Sequence, residues 1–347
     1  MRGRHAEQIT FRAFPRQRGS ACRAGGAIGS VERVNHALTM SKLRLTFVLC
    51  LPLAGAIAAP APPPVVEFLH LTDTHVVDLR EVAPPLAAAR NHFRQTGAEL
   101  EKFLAGPSRP PGAEFILVTG DLIDGFSFAA ADGRRVFGQI EAFQRATARC
   151  RVPLFLLLGN HDITHYGLSA AGKPAADQAV AGEARAAWMA AAPSLRQGTY
   201  YGLERQAGER RYVILALDNG YSAAGSNDGG GFRLAHEQQF WLRRQTEMHA
   251  RATIILALHV PLAGDSGSQA IKSAVSGARN VALILGGHNH KDGLEDVALG
   301  ESTAVQVRTA AFGYGVNNWR RVRLHPDRIE VFATGQLATV EKTIAVR

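Results

Sequence analysis

The chain has 347 residues, of which 46% are hydrophobic and 20% are charged, and its formal net charge is +9. This composition is typical of a globular protein and excludes a chain that is disordered throughout. Its three cysteines, Cys22, Cys50 and Cys150, are too few and too far apart for a disulfide scaffold or a cysteine-rich zinc module.

The N-terminal part of the chain has the pattern of a secretory signal peptide. Residues 40–44 read Met-Ser-Lys-Leu-Arg and precede an apolar run at 45–59, which Pro52 and Gly55 interrupt. A short basic start, about 15 apolar residues and small residues at the end are the three parts of such a peptide. A membrane span needs roughly 18 apolar residues, so we expect export to the periplasm or the extracellular space without a stable membrane anchor.

Residues 1–39 lie upstream of that peptide, where an exported protein normally has nothing. They contain seven arginines, no lysine and two acidic residues. We interpret them as a leader assigned in error, with translation beginning at Met40; a disordered basic tail or an arginine-rich targeting peptide is the alternative. Removing residues 1–59 leaves 30 basic and 28 acidic residues, a net charge of +2 over 288 residues. The charge therefore gives no support to nucleic-acid binding.

Past residue 64, short apolar segments alternate with longer amphipathic ones. This alternation is typical of an α/β fold, and nearly all-apolar strands such as 154–158 indicate sheets that are covered on both faces. We treat residues 60–347 as a single domain, since no internal repeat is present. The predicted strands are 65–71, 115–119, 152–158, 212–217, 253–258 and 281–285, and the predicted helices are 85–105, 135–150, 177–192 and 233–249.

The C-terminal part of the chain has a different pattern. Three closely spaced strand segments, at 304–308, 319–324 and 328–333, follow one another without helices between them. We predict a meander there that closes a second sheet.

Side chains that can bind metal ions follow five consecutive core strands. Because open α/β sheets place their sites at the carboxyl ends of the strands, we expect these side chains to lie close together. Members of a pair two residues apart point the same way in extended chain, which applies to Asp73 with His75 and to His288 with His290. The five segments are Asp73-Thr74-His75, Gly120-Asp121-Leu122-Ile123-Asp124, Gly159-Asn160-His161-Asp162, Leu258-His259-Val260 and Gly286-Gly287-His288-Asn289-His290.

Each of these residues, taken alone, has an ordinary structural explanation. A single Asp after a strand is most often a helix cap or a turn residue, and a lone His at a strand end is usually structural. Seven nitrogen and oxygen ligands in the order Asp, His, Asp, Asn, His, His, His have no common structural explanation. The glycines before Asp121, Asn160 and His288 allow tight turns and leave room for an ion cluster.

The ligand types predict a dinuclear metal centre. Two divalent ions about 3.5 to 4 Å apart need a shared carboxylate between them, while imidazoles and an amide complete each shell with little added charge. A hydroxide between such ions is a nucleophile near neutral pH, positioned for in-line attack on a bound phosphate. The absence of thiolate ligands favours Mn, Fe, Zn or Co and does not discriminate among these metals.

The five segments resemble the signature of the calcineurin-like metallophosphoesterase superfamily, which reads D-x-H, G-D-x-x-D, G-N-H-D/E, a lone H and G-H-x-H. They occur in that order and, with the first strand, span residues 65–290. The resemblance implies a four-layer α/β/β/α sandwich of two mixed sheets with two divalent metal ions, bridged by Asp121. It assigns Asp73, His75, Asp121 and His290 to one ion, and Asp121, Asn160, His259 and His288 to the other.

The resemblance also implies a catalytic role for His161, which would protonate the leaving oxygen or steady the phosphate, with Asp162 or Asp124 orienting its ring. Purple acid phosphatases have a tyrosine at the position of Asp124, and serine/threonine protein phosphatases have an arginine at the position of Gly125. The layout is more similar to the bacterial cyclic-nucleotide and glycerophosphodiester phosphodiesterase branch.

These features predict an exported dinuclear phosphodiesterase that acts on a small phosphate ester. A phosphomonoesterase of the same fold, or a metal-binding scaffold without catalysis, is the alternative; a scaffold would be signalled by lost ligands, and none of the seven is missing. No dense Lys/Arg run with interleaved aromatic residues follows residue 60, so no nucleic-acid partner is indicated. We expect substrate specificity to come from the loops at 165–199, 218–231 and 309–318, the last with Phe312, Tyr314, Asn317 and Asn318.

Overall fold

The computed structural model describes residues 65–106, 111–222 and 231–346. The predicted leader at 1–39 and the predicted signal peptide at 40–59 lie outside these residues. In the part of the chain that the structure describes, no helix is long and apolar enough to cross a membrane.

The described residues form six α-helices and eighteen strands. In chain order they are β1 (Val66–Leu71), α1 (Pro84–Arg90), α2 (Thr96–Ala105), β2 (Phe115–Thr119), β3 (Ser127–Ala129), β4 (Arg135–Val136), α3 (Gln139–Thr147), β5 (Leu154–Leu157), β6 (His165–Leu168), β7 (Pro174–Asp177), α4 (Ala181–Ala191), β8 (Tyr201–Ala207), β9 (Arg210–Ala216), β10 (Tyr221–Ser222), β11 (Phe232–Arg233), α5 (His236–Met248), β12 (Thr253–Ala257), α6 (Ser266–Val275), β13 (Val281–Gly286), β14 (Gly293–Leu299), β15 (Ser302–Arg308), β16 (Arg320–Leu324), β17 (Arg328–Phe332) and β18 (Val340–Ala345).

Two mixed six-stranded sheets make the centre of the fold. The first has the order β18-β17-β16-β1-β2-β5, in which β1, β2 and β5 are parallel and the other three strands are antiparallel. The second has the order β14-β15-β13-β12-β9-β8, with a parallel centre and an antiparallel strand at each edge. The predicted strands therefore lie side by side, with their carboxyl ends at one edge of each sheet.

Three apolar cores define four layers. Phe68, Leu117 and Ile255 belong to a core that the facing surfaces of the two sheets form together. A second core packs helices α2, α3 and α4 on the outer face of the first sheet, and a third packs α5 and α6 on the outer face of the second. The predicted α/β/β/α sandwich is confirmed, because sheets buried on both faces need a covering layer of helices on each side.

The C-terminal meander lies elsewhere than the sequence pattern predicted. Strand β15 pairs with β13 and β14 in the second sheet, whereas β16, β17 and β18 extend the first sheet from β1. The alternation of apolar residues determines which face of a strand is buried, and it carries no information about which sheet the strand joins.

The segment predicted as one helix at 85–105 forms two helices with a 3₁₀ turn between them at Asn91–Phe93. The hydroxyl of Thr96 donates hydrogen bonds to the carbonyl oxygens of Phe93 and His75, at 2.8 and 2.9 Å. Such side-chain bonds to the backbone compete with continuous helix. The break brings the ring of Phe93 against the ring of His75, with the centroids 4.3 Å apart.

Candidate metal centre

The seven predicted ligands come from the ends of five strands in both sheets. Asp73 and His75 follow β1, Asp121 follows β2 and Asn160 follows β5, all at one edge of the first sheet. His259 follows β12, and His288 and His290 follow β13, at the corresponding edge of the second sheet. The structure brings all seven together where the two edges meet.

Four of these residues form a first group of converging ligand atoms. The Nε2 atoms of His75 and His290 lie 3.1 Å apart, and Asp73 Oδ1 lies 3.3 Å from His290 Nε2 and 3.8 Å from His75 Nε2. Asp121 Oδ2 completes the group at 3.8 Å from His75 Nε2. All four ligand atoms lie within 4.8 Å of one another, close enough to surround a single ion.

A second group forms on the other side of Asp121. Its Oδ2 atom lies 3.2 Å from His259 Nε2. Asn160 Oδ1 lies 3.0 Å from His259 Nε2 and 3.0 Å from His288 Nδ1. Asp121 thus contributes one carboxylate to both groups, as a bridging ligand does.

The two carboxylates are each held by one oxygen and present the other to the ligand groups. Asp73 Oδ2 accepts hydrogen bonds from the hydroxyl of Thr72 and the backbone N–H of His288, at 2.6 and 3.0 Å. Asp121 Oδ1 accepts one from the backbone N–H of His161, at 2.9 Å. The remaining oxygens, Asp73 Oδ1 and Asp121 Oδ2, face the imidazoles.

The donor set fits divalent cations. Asp73 Oδ1 is buried and accepts no hydrogen bond from the described residues. The carbonyl oxygen of Thr119, 2.8 Å from His259 Nδ1, holds the proton on that nitrogen, so the Nε2 lone pair points at Asp121 Oδ2 and Asn160 Oδ1, both acceptors. Lone pairs that face one another in a buried site are stabilised by a cation between them.

Electrostatics in the site also favour positive charge. Burial lowers the pKa of His259, but the negative charge of Asp121 outweighs burial and raises this pKa to about 9. Burial and the nearby His259 lower the pKa of His288 to about 4. Asp121 thus stabilises one positive charge at His259 Nε2, which a proton or a metal ion can supply, while His288 stays neutral and able to act as a ligand.

The backbone at the ligands is strained. Five of the six non-glycine residues with positive φ in the described part of the chain are predicted ligands, with φ between 44° and 65°. Such left-handed conformations are costly for residues other than glycine and cluster at functional sites. The two spaced pairs are therefore not in the extended conformation that the sequence predicted. Asp73 and His75 nevertheless enter the same ligand group, whereas His288 and His290 enter different ones. The five residues are Asp73, His75, Asp121, His288 and His290.

The space around the ligands depends on glycines that precede two of them. A Cβ atom on Gly159 would lie 2.2 Å from Asp121 Oδ1 and 2.4 Å from the Asp121 backbone nitrogen. A Cβ on Gly287 would lie 1.9 Å from Thr72 Oγ1 and 2.2 Å from Asp73 Oδ2. These glycines make room for the ligand side chains themselves, so the predicted room for the ions is created indirectly.

Gly159→Ala is expected to weaken Mn²⁺ binding by about 10- to 100-fold, the usual cost of disturbing the groups that orient a ligand. The added methyl group displaces Asp121, which both ligand groups share. Equilibrium dialysis with Mn²⁺ measures the change. Gly182→Ala is the matched control, because it lies in α4 with nothing within 4 Å of the added atom. Equal Mn²⁺ affinity in both variants contradicts this account.

A third cluster lies beside the first ligand group and contains His161. Asp124 Oδ1 lies 3.2 Å from His161 Nδ1 and 3.2 Å from His75 Nδ1, so one carboxylate serves two imidazoles. Burial opposes a charged imidazole, but Tyr166, Asp121 and Asp124 outweigh it and raise the pKa of His161 well above its usual value. Of the two candidates for orienting the ring of His161, Asp124 and Asp162, Asp124 is the one whose carboxylate reaches that ring.

Asp162, the other candidate for that role, contacts backbone amides instead of the imidazole. Its two carboxylate oxygens accept hydrogen bonds from Ile123 N–H and Gly159 N–H, at 3.0 and 2.7 Å. Burial and the charge of Asp121 raise its pKa to about 7. The residue thus ties the loop after β2 to the loop after β5, and we assign it to positioning these loops.

Sequence reasoning missed several residues around the site. The guanidinium of Arg90 lies 3.4 Å from Asp124 Oδ1 and packs 4.2 Å from the ring centroid of Tyr166, whose hydroxyl lies 3.1 Å from His161 Nδ1. Asn219 Oδ1 accepts a hydrogen bond from the backbone N–H of His259 at 2.9 Å. None of these residues belongs to a motif. The one signal in the sequence was the position of Asn219 three residues after the end of β9.

The three segments predicted to determine substrate specificity differ in burial and in secondary structure. In the segment 218–231, Asp218 and Asn219 are buried and hydrogen-bonded, and residues 223–230 lie outside the described part of the chain. In the segment 309–318, Phe312 is buried while Tyr314 lies against His290, with ring centroids 5.1 Å apart. The segment 165–199 contains β6, β7 and α4, so it is a folded insertion.

Comparison with known proteins agrees with this fold. The model of the family described as "Calcineurin-like phosphoesterase" matches residues 66–292. A dimetal phosphatase from Danio rerio has a similar structure, with a TM-score of 0.56 at 15% identity over 82% of this chain and 100% of that one. GAP50, described as the anchor in the inner membrane complex of Plasmodium, has a TM-score of 0.47 at 11% identity over 82% and 89% of the two chains. No curated protein sequence matches the chain.

The likeness to the Danio rerio structure, at 15% identity, shows the fold alone. The family model covers well over half of the chain and includes every segment that carries a ligand. The chain belongs to the calcineurin-like phosphoesterase family.

Proposed function

We propose that the protein is an exported, dinuclear, metal-dependent phosphoesterase that hydrolyses a phosphodiester. The observation that carries this proposal is the position of Asp121, whose Oδ2 atom lies within 3.8 Å of His75 Nε2 in one ligand group and 3.2 Å of His259 Nε2 in the other. Membership of the family supports metal-dependent hydrolysis of a phosphoric ester. The Danio rerio protein with the similar fold is described as a dimetal phosphatase, in keeping with two ions.

Nitrogen and oxygen ligands without thiolate suit Mn, Fe, Zn or Co. When bound, the ions would polarise the phosphoryl oxygens and lower the pKa of water enough to supply a nucleophile near neutral pH. In this proposal Asp73, His75, Asp121 and His290 hold one ion, and Asp121, Asn160, His259 and His288 hold the other.

His161 is the residue of the chain that would act on the leaving group. Its Nδ1 faces Asp124 Oδ1 and the hydroxyl of Tyr166, so Nε2 is the nitrogen that remains for the substrate. Its ring packs edge-on against the ring of His75, with centroids 4.8 Å apart. From there Nε2–H would donate its proton to the leaving oxygen, or a hydrogen bond to a phosphoryl oxygen.

The surroundings of Arg90 favour a diester over a monoester. A phosphomonoester carries an additional negative charge, which an unpaired cation beside the metals would stabilise. The Arg90 guanidinium is instead paired with Asp124 and packed on Tyr166. This arrangement supports a monoanionic phosphodiester substrate. The layout of the motifs is the basis on which we propose a place near the bacterial cyclic-nucleotide and glycerophosphodiester branch.

The Mn²⁺-loaded protein is expected to hydrolyse bis-p-nitrophenyl phosphate with a kcat/KM at least about tenfold above that for p-nitrophenyl phosphate. Cyclic nucleotides and glycerophosphodiesters complete the panel, and protein treated with a chelator is the control. A reversed preference indicates a phosphomonoesterase. Failure on every ester with both ions bound indicates a metal-binding scaffold.

Export of the protein is proposed from the sequence pattern. The same pattern is the basis for dividing the chain into a leader at 1–39, a signal peptide at 40–59 and a domain at 60–347. The leader and the signal peptide fall on residues outside those that the structure describes. N-terminal sequencing of the naturally made protein tests them, and a mature chain that still begins before residue 40 contradicts them.

A further inference from the structure

An exposed aromatic ring stands directly beside the first ligand group. Tyr314 is 58% exposed, and its ring centroid lies 5.1 Å from that of the predicted ligand His290. The ring of His92, which is also exposed, lies nearly parallel to it, with the centroids 5.8 Å apart and the planes 14° apart. Two flat side chains from distant parts of the chain therefore border the site.

The backbone holds Tyr314 in this place. The N–H groups of Phe312 and Gly313 donate hydrogen bonds to the carbonyl oxygens of Thr72 and Asp73, at 3.0 and 2.9 Å. The segment that carries Tyr314 is thus tied to the same stretch of chain that supplies Asp73. Because the backbone that carries Tyr314 is held in place before a ligand binds, less of it has to be ordered on binding.

The inner edge of this surface is closely packed. Phe93 lies 5.2 Å from Tyr314 and stacks on His75 at 4.3 Å, between centroids. A Cβ atom on Gly313 would lie 3.1 Å from the ring of Phe93 and 3.3 Å from the carbonyl oxygen of Asp73. Phe93 thus packs against one side of Tyr314, while most of the Tyr314 side chain remains exposed.

We propose that Tyr314 and His92 form a stacking subsite for a planar heteroaromatic group, the base of a nucleotide ester. This inference rests on the proposed phosphodiesterase function, which places the phosphate at the metals and its organic group at the border of the site. Every nucleobase has a π-face that stacks on aromatic side chains, whereas a glycerol group has none and leaves the exposed tyrosine ring in water. The subsite therefore selects nucleotide phosphodiesters among the esters that the metal centre hydrolyses.

Tyr314→Ala is expected to lower kcat/KM for the methyl ester of adenosine 5′-phosphate by about 5- to 150-fold, the range that loss of one base–aromatic stack gives. The effect lies mainly in KM. For the methyl ester of ribose 5-phosphate, which lacks the base, kcat/KM changes less than about twofold. Tyr314→Phe retains the ring, so we expect it to keep nearly the original ratio of kcat/KM between the two substrates. Phe240→Ala, which removes a 64% exposed ring from α5, is the control. It is expected to leave kcat/KM unchanged for both substrates.

Binding distinguishes failure of the subsite from failure of the proposed function. Calorimetric titration of the Mn²⁺-loaded protein compares adenosine 5′-monophosphate with ribose 5-phosphate and requires no turnover. If neither ester is hydrolysed, the proposed function fails, while tighter binding of the adenosine compound that Tyr314→Ala abolishes still supports the subsite. Equal binding of the two compounds by the unmodified protein, or equal losses for both in Tyr314→Ala, overturns it.

Discussion

Asp121→Asn is expected to abolish the dinuclear centre and to reduce phosphodiester hydrolysis below detection. Asparagine keeps an oxygen that can accept the hydrogen bond from His161 N–H, so the backbone there retains its anchor. It removes the negative charge at Oδ2, the atom that both ligand groups share. Without a shared carboxylate, two cations a few ångströms apart repel each other, so we expect at most one ion to remain.

The expected loss of rate is greater than about 10³-fold, because removal of even one stabilising donor costs about 10²- to 10³-fold. Elemental analysis of the dialysed protein gives the number of ions per chain, and bis-p-nitrophenyl phosphate reports turnover. Asp296→Asn makes the same change of charge on an exposed position of β14 and is expected to alter neither quantity. Two retained ions with normal turnover in Asp121→Asn would contradict the bridging assignment.

The placement of these ligands illustrates what the sequence determines directly. Buried parallel strands read as apolar runs, and their carboxyl ends share one edge because of the hydrogen-bond pattern between them. Ligand-type residues directly after such runs, as with Asp73 after β1 and Asp121 after β2, must therefore approach one another. The four layers follow from the same runs, since strands buried on both faces need covering helices.

The details that determine chemistry depend on contacts between distant segments. Arg90, in helix α1, contacts Asp124, which lies 34 residues later in the chain. The pattern of apolar residues in α1 does not predict this contact. His288 and His290 enter different groups although a spacing of two indicates a common direction, whereas Asp73 and His75, which also have positive φ angles, enter the same group. The residues that orient ligands are therefore seen only when the strands are assembled.

His161→Ala is expected to separate proton transfer from metal binding. The side chain lies outside both ligand groups, and Asp124 and Tyr166 hold its Nδ1 at 3.2 and 3.1 Å. We therefore expect the metal content to remain unchanged, while hydrolysis of an ester with an alkyl leaving group slows by about 10²- to 10⁴-fold, the usual contribution of a general acid. His236→Ala, at an exposed position at the start of α5, is the control.

The dependence on the leaving group identifies which of two roles His161 has. An alkoxide leaves poorly without a proton, whereas p-nitrophenolate is stable without one, so a general acid matters far more for the alkyl ester. If His161 donates the proton, His161→Ala slows the alkyl ester severely and bis-p-nitrophenyl phosphate only slightly. If it steadies a phosphoryl oxygen, both esters slow by the same factor, because that charge develops with either leaving group. Loss of metal in the variant would instead show that the cluster of His75, Asp124 and His161 contributes to ion binding.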